Sequence, residues 1–267
     1  MYRYIYIKGN LPVESYAGGL GVAAGIFDGI DIDWEYPNNP GNGNPYGPED
    51  IHNFTLLLEE FRRQLDEIDH SLLLTIAGPG GQSMIDDMEL NQIHQYLDWI
   101  NLMTYDYHGA WESQGPTNHH SPLFANPQDP SGNTINSDYT VQLYKASGVP
   151  ADKLNLGIPF SGKGWQGVQN VNNGLFQPAN NPAPGTWGQG VDEYKYIKEK
   201  NLPLYWDSEA QASWAYDGNI FWSFDTPDSI LNKMSYIKSQ GLGGAMFWEL
   251  SGDTDDGELI TAIRNGL

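Results

Sequence analysis

The sequence predicts an α/β protein in which parallel strands alternate with helices, and three observations carry that prediction. Continuous apolar runs such as Leu72-Leu73-Leu74-Thr75-Ile76-Ala77 end in turn residues, here Gly78-Pro79-Gly80-Gly81, the pattern of a strand buried on both faces. Between such runs lie segments with apolar residues at helical spacing, so strand and helix take turns along the chain. One strand, within residues 27–37, also carries a column of acids.

That strand reads Phe27-Asp28-Gly29-Ile30-Asp31-Ile32-Asp33-Trp34-Glu35-Tyr36-Pro37. Strand side chains alternate faces, so Gly29, Asp31, Asp33 and Glu35 share one side while Ile30, Ile32 and Trp34 take the other. Same-face neighbours lie about 6.6 Å apart. Three acids at that spacing repel, and at least one is expected to keep its proton at neutral pH. The apolar face demands burial, which argues against a solvated edge strand and for a functional carboxylate row. After a loop over 38–48, residues 49–70 place Ile51, Phe54, Leu57, Leu58, Phe61 and Leu65 at helical spacing. The strand over 72–77 follows, then a helix over 84–95. Further strands are expected over 99–105, 154–160 and 243–248, with helices over 139–147 and 229–240. The Gly-, Asn- and Pro-rich stretch 164–184, continued by 190–225, is too long for an ordinary connecting loop. Residues 164–225 are therefore expected to form a small α+β insertion within one main domain spanning 1–267.

Composition excludes some partners. The chain has 267 residues, with 13 Lys and Arg against 34 Asp and Glu and a net charge of −21, so nucleic acid and acidic membrane surfaces would be repelled. A neutral polysaccharide is indifferent to that charge and suits 9 Trp and 16 Tyr, although most aromatics fill cores. No cysteine is present, which removes disulfides, thiolate nucleophiles and Cys-based zinc sites. No membrane-spanning apolar stretch and no leader pattern are read.

The stretch Asp28-Gly29-x-Asp31-x-Asp33-Trp34-Glu35-Tyr36-Pro37 resembles the signature of the family-18 glycoside hydrolases, the chitinase family. The resemblance implies a TIM-type (β/α)8 barrel in which this is the fourth strand and Glu35 the catalytic acid, at the strand end where barrel enzymes do chemistry. Met103-Thr104-Tyr105-Asp106-Tyr107-His108-Gly109-Ala110-Trp111 resembles the family's sixth-strand element. By resemblance, Tyr105 and Asp106 touch the reacting sugar and Trp111 stacks on the next one, while Met103 is read chiefly as packing. Gly244-Ala245-Met246-Phe247-Trp248-Glu249 resembles the eighth strand, with Trp248 flooring the cleaving subsite. Tyr36 and Trp34 complete the expected substrate contacts. The seventh strand departs from the family's Pro-Phe-Tyr-Gly-Arg: Pro159-Phe160-Ser161-Gly162-Lys163 has Ser and Lys, and Lys is a poor substitute for a planar fork.

A full barrel needs eight strands. Five are found from Phe27 onward, and the 26 residues before it have room for one strand at residues 2–7 and one helix. Ala17-Gly18-Gly19 is a poor match to the family's Ser-x-Gly-Gly. An N-terminally incomplete barrel is therefore expected, its open edge covered by self-association if at all. Family-18 enzymes are exceptions to the two-carboxylate scheme because the substrate's own acetamido group attacks. The resemblance thus implies retaining hydrolysis of chitin with Glu35 as acid and base, Asp33 orienting the acetamide, and Asp31 sharing a proton with Asp33. It implies no cofactor and no metal, chitin oligosaccharides as partners, and a secreted protein. Two other readings stay open: a non-catalytic chitin-binding lectin, and an N-glycan or peptidoglycan hydrolase. His119-His120 reads as a surface pair, and Asp253-Thr254-Asp255-Asp256-Gly257 as helix capping rather than a calcium loop.

Overall fold

A computed structural model describes residues 27–267, which fall into two compact units. The expectations for residues 2–7 and for Ala17-Gly18-Gly19 lie outside the described residues. Within the described chain the first unit comprises residues 27–77 and 86–100, and the second residues 78–85 and 101–267.

The first unit opens with β1 (Gly29–Ile32), followed by α1 (Glu49–Asp66) and β2 (Leu73–Gly78). β1 and β2 are parallel, with Gly29 opposite Leu73 and Ile32 opposite Ile76. A Cβ at Gly29 would lie 2.2 Å from the Leu73 carbonyl oxygen, so only glycine permits this pairing. α1 turns Phe54, Leu58 and Leu65 inward, carries Glu49 and Asp50 in its first turn, and has Arg63 in its last, each charge matching the helix dipole. Arg62 ties the unit together by donating to the Leu72 carbonyl at 2.8 Å and pairing with Asp66 and Asp98.

The expected helix over 84–95 is instead two short ones, α2 (Gln82–Asp86) and α3 (Leu90–Ile93), broken at a non-helical Glu89. Side-chain bonding competes with the helix here: Glu89 accepts from the Thr55 hydroxyl at 2.5 Å, and Asp87 accepts from the Asn38 amide at 3.1 Å. β3 (Trp99–Leu102) is shorter than the expected strand over 99–105 and passes from one unit into the other.

In the second unit, the end of β2 accepts the Met103 amide at Gly78 (2.8 Å), and Thr104 both donates to and accepts from the Gly157 backbone at 2.9 Å. α4 (Ser137–Ala146) is capped by Asn136, whose side chain accepts the Tyr139 amide. β4 (Leu154–Pro159) holds fully buried Leu154, Leu156 and Ile158 and pairs in parallel with β11 (Gly244–Trp248). Between them the chain builds an antiparallel sheet from β5 (Ser161–Gln166), β6 (Asn181–Pro182), β7 (Val191–Glu193), β8 (Leu204–Asp207), β9 (Ala212–Tyr216) and β10 (Ile220–Phe224), plus α5 (Tyr194–Glu199). Its order is β6-β5-β10-β9-β8, with β7 also on β5. Trp165, Trp214, Tyr216 and Phe221 form its core. This sheet starts at Ser161, so Ser161, Gly162 and Lys163 belong to it and not to the parallel strand before it.

α6 (Pro227–Gln240) has a capping box between Thr226 and Ser229 and ends at Gly241 in the left-handed region (φ 65°). α7 (Glu258–Gly266) closes the chain, and its first amides at Leu259 and Ile260 donate to Asp253, the capping expected of that acidic run.

Candidate active site

The acidic row stands at the C-terminal end of β1. The strand ends at Ile32, so Asp31 lies within it and Asp33 and Glu35 just beyond. Asp31, Asp33 and Glu35 each keep part of their surface open to solvent, whereas Ile30 is buried. Asp31 accepts a hydrogen bond from the Thr75 hydroxyl on β2. Asp33 is hydrogen-bonded to Glu35; burial first, then the negative charges of Glu35 and Asp31, push its pKa up. Of the three, Asp33 is the carboxyl pushed toward keeping its proton, in line with the expectation that one member of the row does so. A Cβ on Gly41 would lie 2.1 Å from the Glu35 carbonyl oxygen, so the following loop packs closely against the Glu35 backbone. Trp34, expected to touch substrate, is half-buried and lies edge-on to Phe54 of α1 at 5.5 Å. Tyr36 is half-buried.

The second unit holds the other expected residues at the ends of its own strands. Asp106, with φ 57°, follows β3 and pairs with Lys163 of β5 at 2.9 Å, while His120 Nδ1 lies 3.5 Å away. Burial raises the Asp106 pKa, but the His120 ring and the Lys163 ammonium outweigh it and hold the carboxyl down at about 2. Lys163 Nζ also sits 5.9 Å from the Trp111 ring. Trp111 is 60% exposed and Trp248, at the end of β11, 62% exposed, so neither is a core indole. The Tyr105 hydroxyl lies 3.9 Å from Met246 Sδ, and Met103 is half-buried beside it in the chain.

Two readings need correction. His119-His120 is not a surface pair: both rings are buried, with His119 Nε2 at 3.1 Å from Asp207 and His120 against Asp106. Their acids lie far away in sequence at Asp207 and on the other side of a loop at Asp106, so local spacing shows no partner. Lys163 likewise looked like a weak replacement, yet its single charge meets a single carboxylate, a contact that needs no planar fork. Among the described residues no group of three or more His, Asp or Glu is arranged to hold a metal ion, and no helix is long and apolar enough to cross a membrane.

Comparison with known proteins identifies the family. The family model described as Glycosyl hydrolases family 18 matches residues 14–253. Chitinase 63 of Streptomyces plicatus is 40% identical over 248 residues, covering 91% of this chain and 39% of that protein. Chitinase A1 of Niallia circulans is 42% identical over 245 residues, covering 85% of this chain and 35% of that protein. The chain therefore spans less than half the length of these two relatives. The catalytic domain of the psychrophilic chitinase B from Arthrobacter TAD20 superposes with a TM-score of 0.88 at 38% identity, covering 98% of this chain and 61% of that one. The parallel strands and helices described above are accordingly part of a TIM-type β/α barrel, and the chain belongs to family 18 of the glycosyl hydrolases.

Proposed function

We propose that the chain hydrolyses β-1,4-linked N-acetylglucosamine polymers with retention of configuration, Glu35 acting as acid and then base. The observation that carries this reading is the row of Asp31, Asp33 and Glu35 at the C-terminal end of β1, where burial and the charges of Glu35 and Asp31 push the Asp33 pKa up. In the first step Glu35 gives a proton to the glycosidic oxygen as its bond to the anomeric carbon breaks. The carbonyl oxygen of the substrate's 2-acetamido group forms the new bond to that carbon, giving an oxazolinium ion. Asp33 accepts from the acetamido N–H and so directs the carbonyl toward the reacting carbon. Water then attacks the anomeric carbon, loses a proton to the Glu35 carboxylate and releases the acetamide. Two inversions give net retention.

Asp31, anchored by Thr75, backs Asp33. Tyr105, Asp106, Met103, Tyr36, Trp111 and Trp248 keep the substrate-contacting roles that the family resemblance implies, and the exposure of both indoles supports theirs. Substrate of this kind is met outside the cell, where we place the enzyme's action.

The test is release of fluorophore from an N,N'-diacetylchitobioside by the full chain. Glu35→Gln is expected to lower turnover by about 10²- to 10⁴-fold. Equal turnover in the variant would remove Glu35 from its role, and absence of release from the parent with oligomers still bound would favour a lectin.

A further inference from the structure

β8 is the outer strand of the antiparallel sheet, and its alternation sorts four side chains cleanly. Tyr205 turns inward and stacks on Trp214 with ring centres 5.4 Å apart, and Asp207 turns inward to accept from His119, Asn126 and the Glu209 and Ala210 amides. Leu204 and Trp206 consequently face outward, 57% and 42% exposed. They form one wall of a cavity of about 490 Å³, whose other wall is the first two turns of α6 with Asp228 and Asn232 one helical turn apart. Gln211, held in the left-handed region at φ 51°, closes one end beside Ser208. The floor is already satisfied, because the hydroxyls of Ser213 and Thr226 bond to each other at 2.9 Å.

The rim is open to solvent. Among the described residues the indole N–H of Trp206, the hydroxyl of Ser208, the amide of Gln211 and the carboxylate of Asp228 have no partner within the protein. An exposed indole facing several uncommitted planar polar groups is the chemistry that recognises a pyranose: the ring's C–H face stacks on the indole while its hydroxyls and acetamide meet carboxylate and amide groups. A protein-binding patch would carry fewer charged and amide side chains at its centre.

We propose that this groove is a second saccharide-binding site, taking a segment of β-1,4-linked N-acetylglucosamine chain on the antiparallel sheet, away from the carboxylates that cleave. The identity of the sugar rests on the proposed function; the presence of a saccharide site does not. Its role is to hold the chain on insoluble polymer without touching the reacting bond.

The experiment follows the indole N–H resonance of Trp206, assigned by its loss in Trp206→Ala, while the 267-residue chain is titrated with chitohexaose. A saturable shift of that resonance is expected, about tenfold weaker in Asp228→Asn. Trp206→Ala should bind insoluble chitin about fivefold less while cleaving soluble chitobioside at the parent rate. No shift of the Trp206 resonance overturns the inference, whether or not the protein hydrolyses chitobioside. A shift in a parent that fails to hydrolyse overturns the function reading and leaves the groove assigned. Loss of self-association in Trp206→Ala with chitin binding unchanged would show the face to be a protein contact and would also overturn it.

Discussion

Asp33 and Asp106 are the same residue type in the same kind of place, just past the C-terminal end of a strand, and their protons go opposite ways. Asp33 has Glu35 and Asp31 for neighbours and is pushed up; Asp106 has Lys163 and His120 and is held at about 2. Burial works in the same direction on both, so the sign is set by the charge of the neighbours. One carboxyl is suited to hold or pass a proton, and the other is a permanent anion that can only accept hydrogen bonds. The difference is one of sequence distance as well: the neighbours of Asp33 are two residues away on the same segment, whereas Lys163 and His120 reach Asp106 from elsewhere in the chain.

The largest expected effect breaks the acidic side. Glu35→Gln removes both a charge and a hydrogen-bonding carboxyl from Asp33, so besides losing activity it should bring the Asp33 pKa down toward the ordinary range. Carboxyl carbon resonances followed against pH would show this, and an unmoved Asp33 would mean that burial and the charge of Asp31 hold it up without Glu35.

The cationic side is broken by Lys163→Met, which should raise the Asp106 pKa from about 2 and lower kcat/KM by about tenfold through a looser Asp106, as expected when one charge-assisted contact is lost. Lys163→Arg should restore most of the rate, because a guanidinium also carries the charge. Equal loss in both variants would show that the buried volume at residue 163 matters and its charge does not.

Acid titration sharpens the comparison further. Asp106 and Asp207 have folded pKa values near 2 against 3.8 unfolded; for Asp207 burial raises the value, but hydrogen bonds from His119, Asn126 and the Ala210 amide prevail. A depressed folded value means stability that is present above pH 3.8 and lost as pH falls through about 2. The thermal midpoint should therefore fall between pH 4 and 2, and Asp207→Asn should flatten that fall more than Asp106→Asn does, because Asp106 is half exposed and screened by solvent. The smallest effect is expected from Thr75→Val, which takes the hydroxyl from Asp31 and should cost about 0.5–1.5 kcal/mol in urea unfolding.

Much of this protein was legible in the residues because its information is local. The alternation Ile30, Asp31, Ile32, Asp33 dictates which side is buried and which carries acid, whatever surrounds the strand. The apolar run at 72–77 and the helical spacing of Phe54, Leu58 and Leu65 need no partner to be recognised. Gly29 also has a local look, yet its reason is the Leu73 carbonyl of the neighbouring strand.

What only the tertiary structure decided are pairings over long sequence distances. His119 with Asp207, Lys163 with Asp106 and Thr75 with Asp31 join residues between 44 and 88 apart or across separate elements, and nothing in the flanking residues announces them. The break at Glu89 is of the same kind, since the competing donor is Thr55 on α1. The outward turn of Trp206 follows from strand alternation, but the polar wall opposite it comes from α6, two strands and a turn later. By itself the sequence determined where the acids stand and which faces are apolar, because side-chain direction follows from backbone period. Which carboxyl keeps a proton was left to the fold, because a pKa depends on charges a few ångströms away in space and takes no account of how far away they are along the chain.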